Sequence, residues 1–593
     1  MSDSNQTMTP EEVLEKYRVE REKRLRADGT AQYRELTDDW AEFDRDPFVE
    51  PGFTRDPVIE DTDVVIIGAG IGGLTTAVRL AQNGVTDMRI LDRAGDFGGT
   101  WYWNRYPGCM CDVEAYVYIP MLEETGFMPS EKYSKAPEIF RQCQLLGEKY
   151  DLYSKALFQT ESHEAHWDDE ARRWIVKTDR GDELRARYIV VAGGILHKAK
   201  LPRIPGIETF KGHAFHAARW NYAVTGGGPT ELPTKLGDKK VAVVGTGATA
   251  VQIVPTIAPI TEQVYVVQRT PSAVGVRNNC QTDPDWFFNQ EPGWQQERMW
   301  NFTAMTSGLP LDEDMVGDAW TEVYRGEMAN GGVDKTKLPD DQRLLADVEI
   351  MNRWRSRIED IVEDKDTAEA LKPWYDMWCK RPCFHDDYLP AFNRDNVKLL
   401  DTDGQGIEAV TPTGIVVQGK EYPVDIIVFA TGFETGTMYK SRMHFELYGR
   451  DGKSLSEDWA EGTQAHTLHG LLSRGFPNAF LYSGAQGGFA TSIVHSLQDH
   501  AEHVGEVVSA LKERQATLIE PTPEAEEEWW NWIMTGFQYG YDQMKECTPS
   551  WLNGEGNRDP SRMKLSIYLG PLKHYSDKLR EWRANGMPGV EIS

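Results

Sequence analysis

DVVIIGAGIGGLTTAVRLAQNG, residues 63–84, and KVAVVGTGATAVQIVPTIA, residues 240–258, are the two stretches on which the fold turns. In the first, an apolar strand from Val64 to Ile67 runs into Gly68, Gly70 and Gly73. Glycine at these places permits a tight turn, close approach of a pyrophosphate and packing of helix on strand, and the phosphate then meets the helix N-terminus. Asp92 follows Gly73 by 19 residues, at the end of the apolar run MRIL, where a carboxylate accepts ribose hydroxyls. Glycines alone would fit any strand-turn-helix unit; the carboxylate at that spacing points to a dinucleotide.

The second stretch repeats the design through Gly245, Thr246, Gly247, Ala248, Thr249 and Ala250, with alanine in the third glycine's place. Nineteen residues beyond Ala250 stand Arg269 and Thr270, with no carboxylate. A guanidinium there pairs with a 2′-phosphate, which predicts NADPH over NADH; the alternative for Arg269 is a surface ion pair. Two dinucleotide folds in one chain imply two nucleotides, a resident FAD on the first and a visiting NADP(H) on the second.

Outward from these anchors, short apolar strands alternate with glycine turns and helical periods, the pattern of parallel α/β sheets. YIVVAGGILHKAKLP at 188–202 and DIIVFATGFE at 425–434 read as further strands ending in small residues. The predicted architecture is α/β, with two Rossmann-like domains for FAD and NADP, a helical insertion and an N-terminal helical extension. Its expected boundaries are 1–60 for the extension, 61–200 with 430–593 for the FAD domain, 201–277 with 379–429 for the NADP domain, and 278–378 for the insertion. Thr9, Pro10 and Glu12 start a helix expected to reach about Ala27 and to wrap the outside of the body.

Composition narrows the partners. In 593 residues, 64 basic against 93 acidic side chains give a net charge of −29, which opposes nucleic acid and anionic membrane surfaces. No apolar run suggests a bilayer span and the polar N-terminus is no secretory signal, so a cytoplasmic protein is expected, a monomer or weak homo-oligomer. The seven scattered cysteines lack zinc-site spacing and read as reduced thiols with no metal; His163 and His166 read as surface residues of a strand.

Flavin enzymes of this double architecture divide into disulfide reductases, which need a CxxxxC pair beside the flavin, and monooxygenases, which need none. In GGTWYWNRYPGCMCD, residues 98–112, one residue separates Cys109 from Cys111, too tight a ring for an ordinary redox disulfide. Oxygen is the expected electron acceptor. FKGHAFHAARW at 210–220, through Phe210, Gly212, His216 and Trp220, is similar to the FxGxxxHxxxW signature of the single-component, flavin-dependent Baeyer-Villiger monooxygenases. The long extension and CTPSWLNGEG at 547–556 resemble the subgroup acting on macrocyclic or polycyclic ketones.

The resemblance implies oxygen insertion beside a ketone carbonyl to give an ester or lactone, with a small-molecule ketone and O2 as partners. It extends the flavin-binding set to Gly99, Thr100, Trp101, Trp103, Tyr106, Asp112 and Tyr118. By the same resemblance Arg381 is the cation beside the oxygen-loaded flavin, Asp112 holds it, Lys380 is a second ligand of the 2′-phosphate, and Trp551 lines the substrate pocket. The signature ending in Trp220 is expected to act as a hinge, not as a nucleophile. A heteroatom oxygenase acting on sulfides or amines is the alternative function.

Overall fold

The computed structural model describes residues 8–309, 311–328, 340–435, 439–537, 546–557 and 559–593. Both glycine motifs sit where a parallel strand hands over to a helix. The strand Ile59–Ile67 pairs in parallel with Met88–Leu91 on one side and Glu183–Val191 on the other. Val64, Val65 and Ile66 are fully buried, as a strand covered on both faces requires. The sheet continues through Arg173–Thr178 and Ser162–Asp168 as an antiparallel meander, and Ala479–Leu481 adds in parallel to the end of Glu183–Val191. His166 lies exposed on Ser162–Asp168, stacked on Tyr448.

The second sheet is parallel throughout, in the order Val397–Asp401, Gln263–Gln268, Lys240–Val244, Ile426–Phe429, His213–His216. Its apolar strands, Val241 to Val243 and Ile427 to Phe429 among them, are buried on both faces. The signature at 210–220 therefore supplies the edge strand of this sheet, followed by the turn Ala217–Arg219. Between 278 and 378 the described residues hold five α-helices, from Pro284–Phe288 to Lys365–Ala370.

Two expectations are corrected. Thr9 and Glu12 form the capping box, but the helix Pro10–Arg24 stops before Ala27, and the extension does not merely wrap the outside. Arg24 and Gln32 are buried, Tyr33–Arg34 pairs with Leu201–Pro202, and the Arg24 guanidinium donates to the Arg269 carbonyl at 3.0 Å. The cysteines are not all reduced: Cys379 and Cys547 form a disulfide across 168 residues of sequence, while the other five are free. Spacing along the chain could not show that pair, because only the return of the C-terminal segment onto residues 377–381 brings the sulfurs together.

Candidate active site

A cavity of about 1510 Å³ opens at the carboxyl ends of both sheets, the place where open α/β sheets bind ligands. Gly68, Asp92, Gly245, Arg269, Asp112, Arg381 and Trp551 all line it. The volume exceeds the roughly 300–1,000 Å³ typical of a pocket for one small ligand.

On the first motif the glycines are dictated by backbone contacts. Gly68 has φ +105°, and a Cβ there would stand 2.6 Å from the Ala192 carbonyl oxygen; one on Gly73 would stand 1.9 Å from the Gly68 carbonyl oxygen. Gly99 closes the cradle from the opposite side, so near that its own Cβ would meet Gly70 Cα at 2.6 Å. The Asp92 carboxylate accepts the Ala69 and Ala94 N–H groups at 2.6 and 2.8 Å, and burial pushes its pKa up. Thr100, Trp101 and Trp103 form the short helix after Gly99. The Trp101 indole donates to the Tyr118 hydroxyl at 3.2 Å, and the Tyr106 hydroxyl donates to Gln252 Oε1 at 2.9 Å, joining this half to the helix of the second motif.

The second cradle is more open. A Cβ on Gly245 would meet the Ala430 carbonyl oxygen at 2.5 Å, but one on Gly247 would meet nothing within 4 Å. Ala248 and Thr249 begin the helix, Ala250 is fully buried, and the Thr246 hydroxyl donates to the Thr270 carbonyl at 2.5 Å. Thr270 Oγ1 is buried with no hydrogen-bond partner among the described residues.

Beyond Thr270 lies a basic corner that the sequence showed only in part. Arg269 donates to Gln32 Oε1 at 2.6 Å and pairs with Glu555 at 3.0 Å, and Lys200 pairs with the same carboxylate at 2.9 Å. Burial alone would raise the Glu555 carboxyl, yet Lys200 and Arg269 hold it at about 2. Lys380 donates to the Pro549 carbonyl at 3.1 Å, and burial with Arg269 nearby pushes its pKa down to about 8.

Elsewhere on the cavity wall, Arg381 grips Asp112 with two nitrogens, at 2.7 and 2.5 Å. Burial would push the Asp112 carboxyl up, but the guanidinium outweighs it and the group stays below its ordinary range. Trp320 braces the pair, its indole donating to the Asp112 carbonyl at 2.8 Å with its ring 5.2 Å from the guanidinium. Trp551 stands at the rim, 44% exposed.

The signature residues form the seam between the sheets. A Cβ on Gly212 would strike the Asp425 carbonyl oxygen at 2.3 Å, and Phe210 packs in the cluster under the second sheet. His216 donates through Nε2 to the Gly432 carbonyl at 3.1 Å and accepts the Ala218 N–H at Nδ1. Burial, with Arg219 beside it, pushes His216 down to about 3, so the ring is neutral. Trp220 is fully buried and donates to Thr225 Oγ1 at 2.9 Å. Next to it, Arg219 lies 3.9 Å over the Trp103 ring and pairs with Asp44.

These residues fit two dinucleotides: a glycine cradle closed by Gly99 on one side, and on the other an open turn at Gly247, an unpartnered Thr270 hydroxyl and a basic corner. Residues 62–281 match the family model described as pyridine nucleotide-disulphide oxidoreductase. A Baeyer-Villiger monooxygenase of Streptomyces coelicolor is 44% identical over 601 residues, with 98% of this chain and 97% of that protein covered. This chain belongs to the Baeyer-Villiger monooxygenases. Neopentalenolactone D synthase of Streptomyces avermitilis is 48% identical over 592 residues, covering 98% and 99% of the two chains. The solved polycyclic ketone monooxygenase of Thermothelomyces thermophila superposes with a TM-score of 0.91 at 38% identity, covering 98% and 99%. As a Baeyer-Villiger monooxygenase the chain uses FAD and NADPH and converts a ketone to an ester or lactone.

Gln32, Lys200, Gln252, Trp320 and Glu555 of this Baeyer-Villiger monooxygenase escaped the sequence reading. None belongs to a spacing pattern, and each reaches its partner across at least 140 residues of chain. The sequence tied CTPSWLNGEG and the extension to a subgroup by resemblance, and put neither in the nucleotide corner.

Proposed function

We propose that this Baeyer-Villiger monooxygenase oxidises a bulky, polycyclic ketone, with Arg381 as the cation beside the reacting oxygen and Asp112 as its positioning partner. The observation that carries the reading is the bidentate pair on the wall of a cavity of about 1510 Å³. FAD, when bound and reduced by NADPH, supplies the activation of O2. Gly68, Gly70, Gly73, Gly99 and Asp92 would hold it; Gly245, Gly247, Arg269, Thr270 and Lys380 would hold the NADP. The name of the fungal structure supports the substrate class.

The division of exposure explains the chemistry. Arg381 keeps 38% of its side chain accessible while Asp112 keeps 5%, so most of what the pair shows to the cavity is the positive guanidinium. The charge is fixed, because Asp112 drives the Arg381 pKa further above its ordinary value than burial lowers it. Arg381 therefore donates hydrogen bonds without giving up a proton. Negative charge that develops on oxygen as the carbonyl is attacked meets donors already in place, an effect worth about 3–4 kcal/mol of barrier in comparable sites. The same residue cannot be replaced by lysine without losing one arm of the grip on Asp112.

On this reading the FAD domain comprises 61–200 and 430–593, the NADP domain 201–277 and 379–429, and the signature at 210–220 is the hinge between them. The enzyme works as a cytoplasmic monomer or weak homo-oligomer on this reading; the net charge of −29 opposes tight self-association. Arg381→Ala tests the core of the proposal: the purified protein stays yellow and NADPH still bleaches it, but ester formation falls by about 10²–10³-fold. Ester formation at the original rate would overturn it.

A further inference from the structure

The basic corner holds a carboxylate where the assigned ligand is a phosphate. Glu555 is 4% exposed, and its two oxygens take Lys200 Nζ at 2.9 Å and an Arg269 nitrogen at 3.0 Å. Three cations, Lys200, Arg269 and Lys380, act on this one carboxylate. A buried cluster of like charges needs a counter-anion, and Glu555 supplies one unit of charge. A 2′-phosphate near neutral pH carries close to two units and three acceptor oxygens, and it needs the same N–H donors.

We propose that Glu555 is a built-in competitor of the NADPH 2′-phosphate, which must displace it from Arg269 and Lys200 in order to bind. The inference rests on the assignment of Arg269 to that phosphate. The anchorage of Glu555 supports it. Cys547, joined to Cys379, fixes the base of the segment next to Lys380, and Glu555 follows eight residues later. Asn553 ties the segment further, accepting the Ser550 N–H at 2.9 Å and donating to the Cys547 and Thr548 carbonyls. A carboxylate tethered on so short a lead competes at high effective concentration. Trp551 rides on the same anchored segment, at the cavity rim.

The two cofactor forms differ in what they meet. NADP carries an anion that repels Glu555 and takes its donors. NAD carries a 2′-hydroxyl, which can donate to the carboxylate and leave it in place. Glu555 therefore weakens NADP binding selectively and eases its release after turnover.

The test is equilibrium binding of NADP⁺, NAD⁺ and 2′-AMP to the FAD-loaded full-length enzyme, followed by calorimetry and without turnover. Glu555→Gln should bind NADP⁺ and 2′-AMP about tenfold more tightly and NAD⁺ within about twofold of the original protein. Glu555→Ala should act in the same direction, and it decides the matter if the glutamine variant does not retain flavin. Unchanged or weaker NADP⁺ binding in a flavin-loaded variant overturns the inference. Arg269→Ala separates the two levels: if it leaves the preference for NADP⁺ over NAD⁺ intact, the phosphate assignment fails. If it abolishes the preference while the Glu555 variants do not tighten NADP⁺, only the competitor role fails.

Discussion

The two glycine motifs share a backbone design and differ in how each is closed. At the first, the chain closes the cradle with backbone: Gly99 packs against Gly70, Gly73 against the Gly68 carbonyl, and Asp92 is buried under two N–H groups. The second is closed by side chains from distant segments. Gln32 comes from the extension, Lys200 from the crossover, Lys380 from the loop after the helical region and Glu555 from the C-terminal segment. A ligand that stays can be enclosed by backbone that rarely moves. A ligand that exchanges each turnover is better met by side chains, whose contacts open and reform without unfolding a turn.

The most severe way to break this contrast is Gly73→Ala. The new Cβ would lie 1.9 Å from a backbone oxygen with no flexible atom to yield, so we expect a loss of about 3 kcal/mol or more and a colourless protein, read as flavin content and Tm. Arg269→Ala acts on the other side. Loss of a charge-assisted donor pair should raise the KM for NADPH about 100-fold and that for NADH by less than about twofold, while flavin content is untouched.

A pH series sharpens the comparison, because Lys380 at the second site changes charge just above neutral pH. Lys380 is charged below a pKa of about 8 and neutral above it. The charged form binds phosphate, so NADP⁺ affinity is full between about pH 7, where the 2′-phosphate is dianionic, and pH 8, and falls on raising the pH further, by at most about tenfold per unit for one linked proton. Lys380→Met should flatten that slope, whereas retention of FAD shows none. The smallest expected effect is Ala250→Gly, which restores the third glycine to the second motif. It costs about 1 kcal/mol of helix stability and leaves both nucleotides bound.

Much of the molecule could be read from local pattern. The strand, glycine turn and helix at 63–84 and at 240–258 were legible because their geometry is set by residues within one supersecondary unit. The same holds for the carboxylate at 92 and the guanidinium at 269, which sit at fixed distances from the turns they serve. The Arg381 and Asp112 pair was legible only through resemblance, since 269 residues separate its members.

What the sequence determined by itself was the two dinucleotide folds, each with its glycine turn between a parallel strand and a helix. Tertiary structure alone decided the Cys379–Cys547 bond, the entry of the extension into the nucleotide corner and the placement of Glu555 on Arg269. The physical reason is the range of the forces involved. Backbone sterics and strand periodicity act over a few residues and leave a trace in the order of amino acids. Ion pairs and sulfur bridges form between whatever the folded chain brings within a few ångströms, and no spacing along the sequence records them.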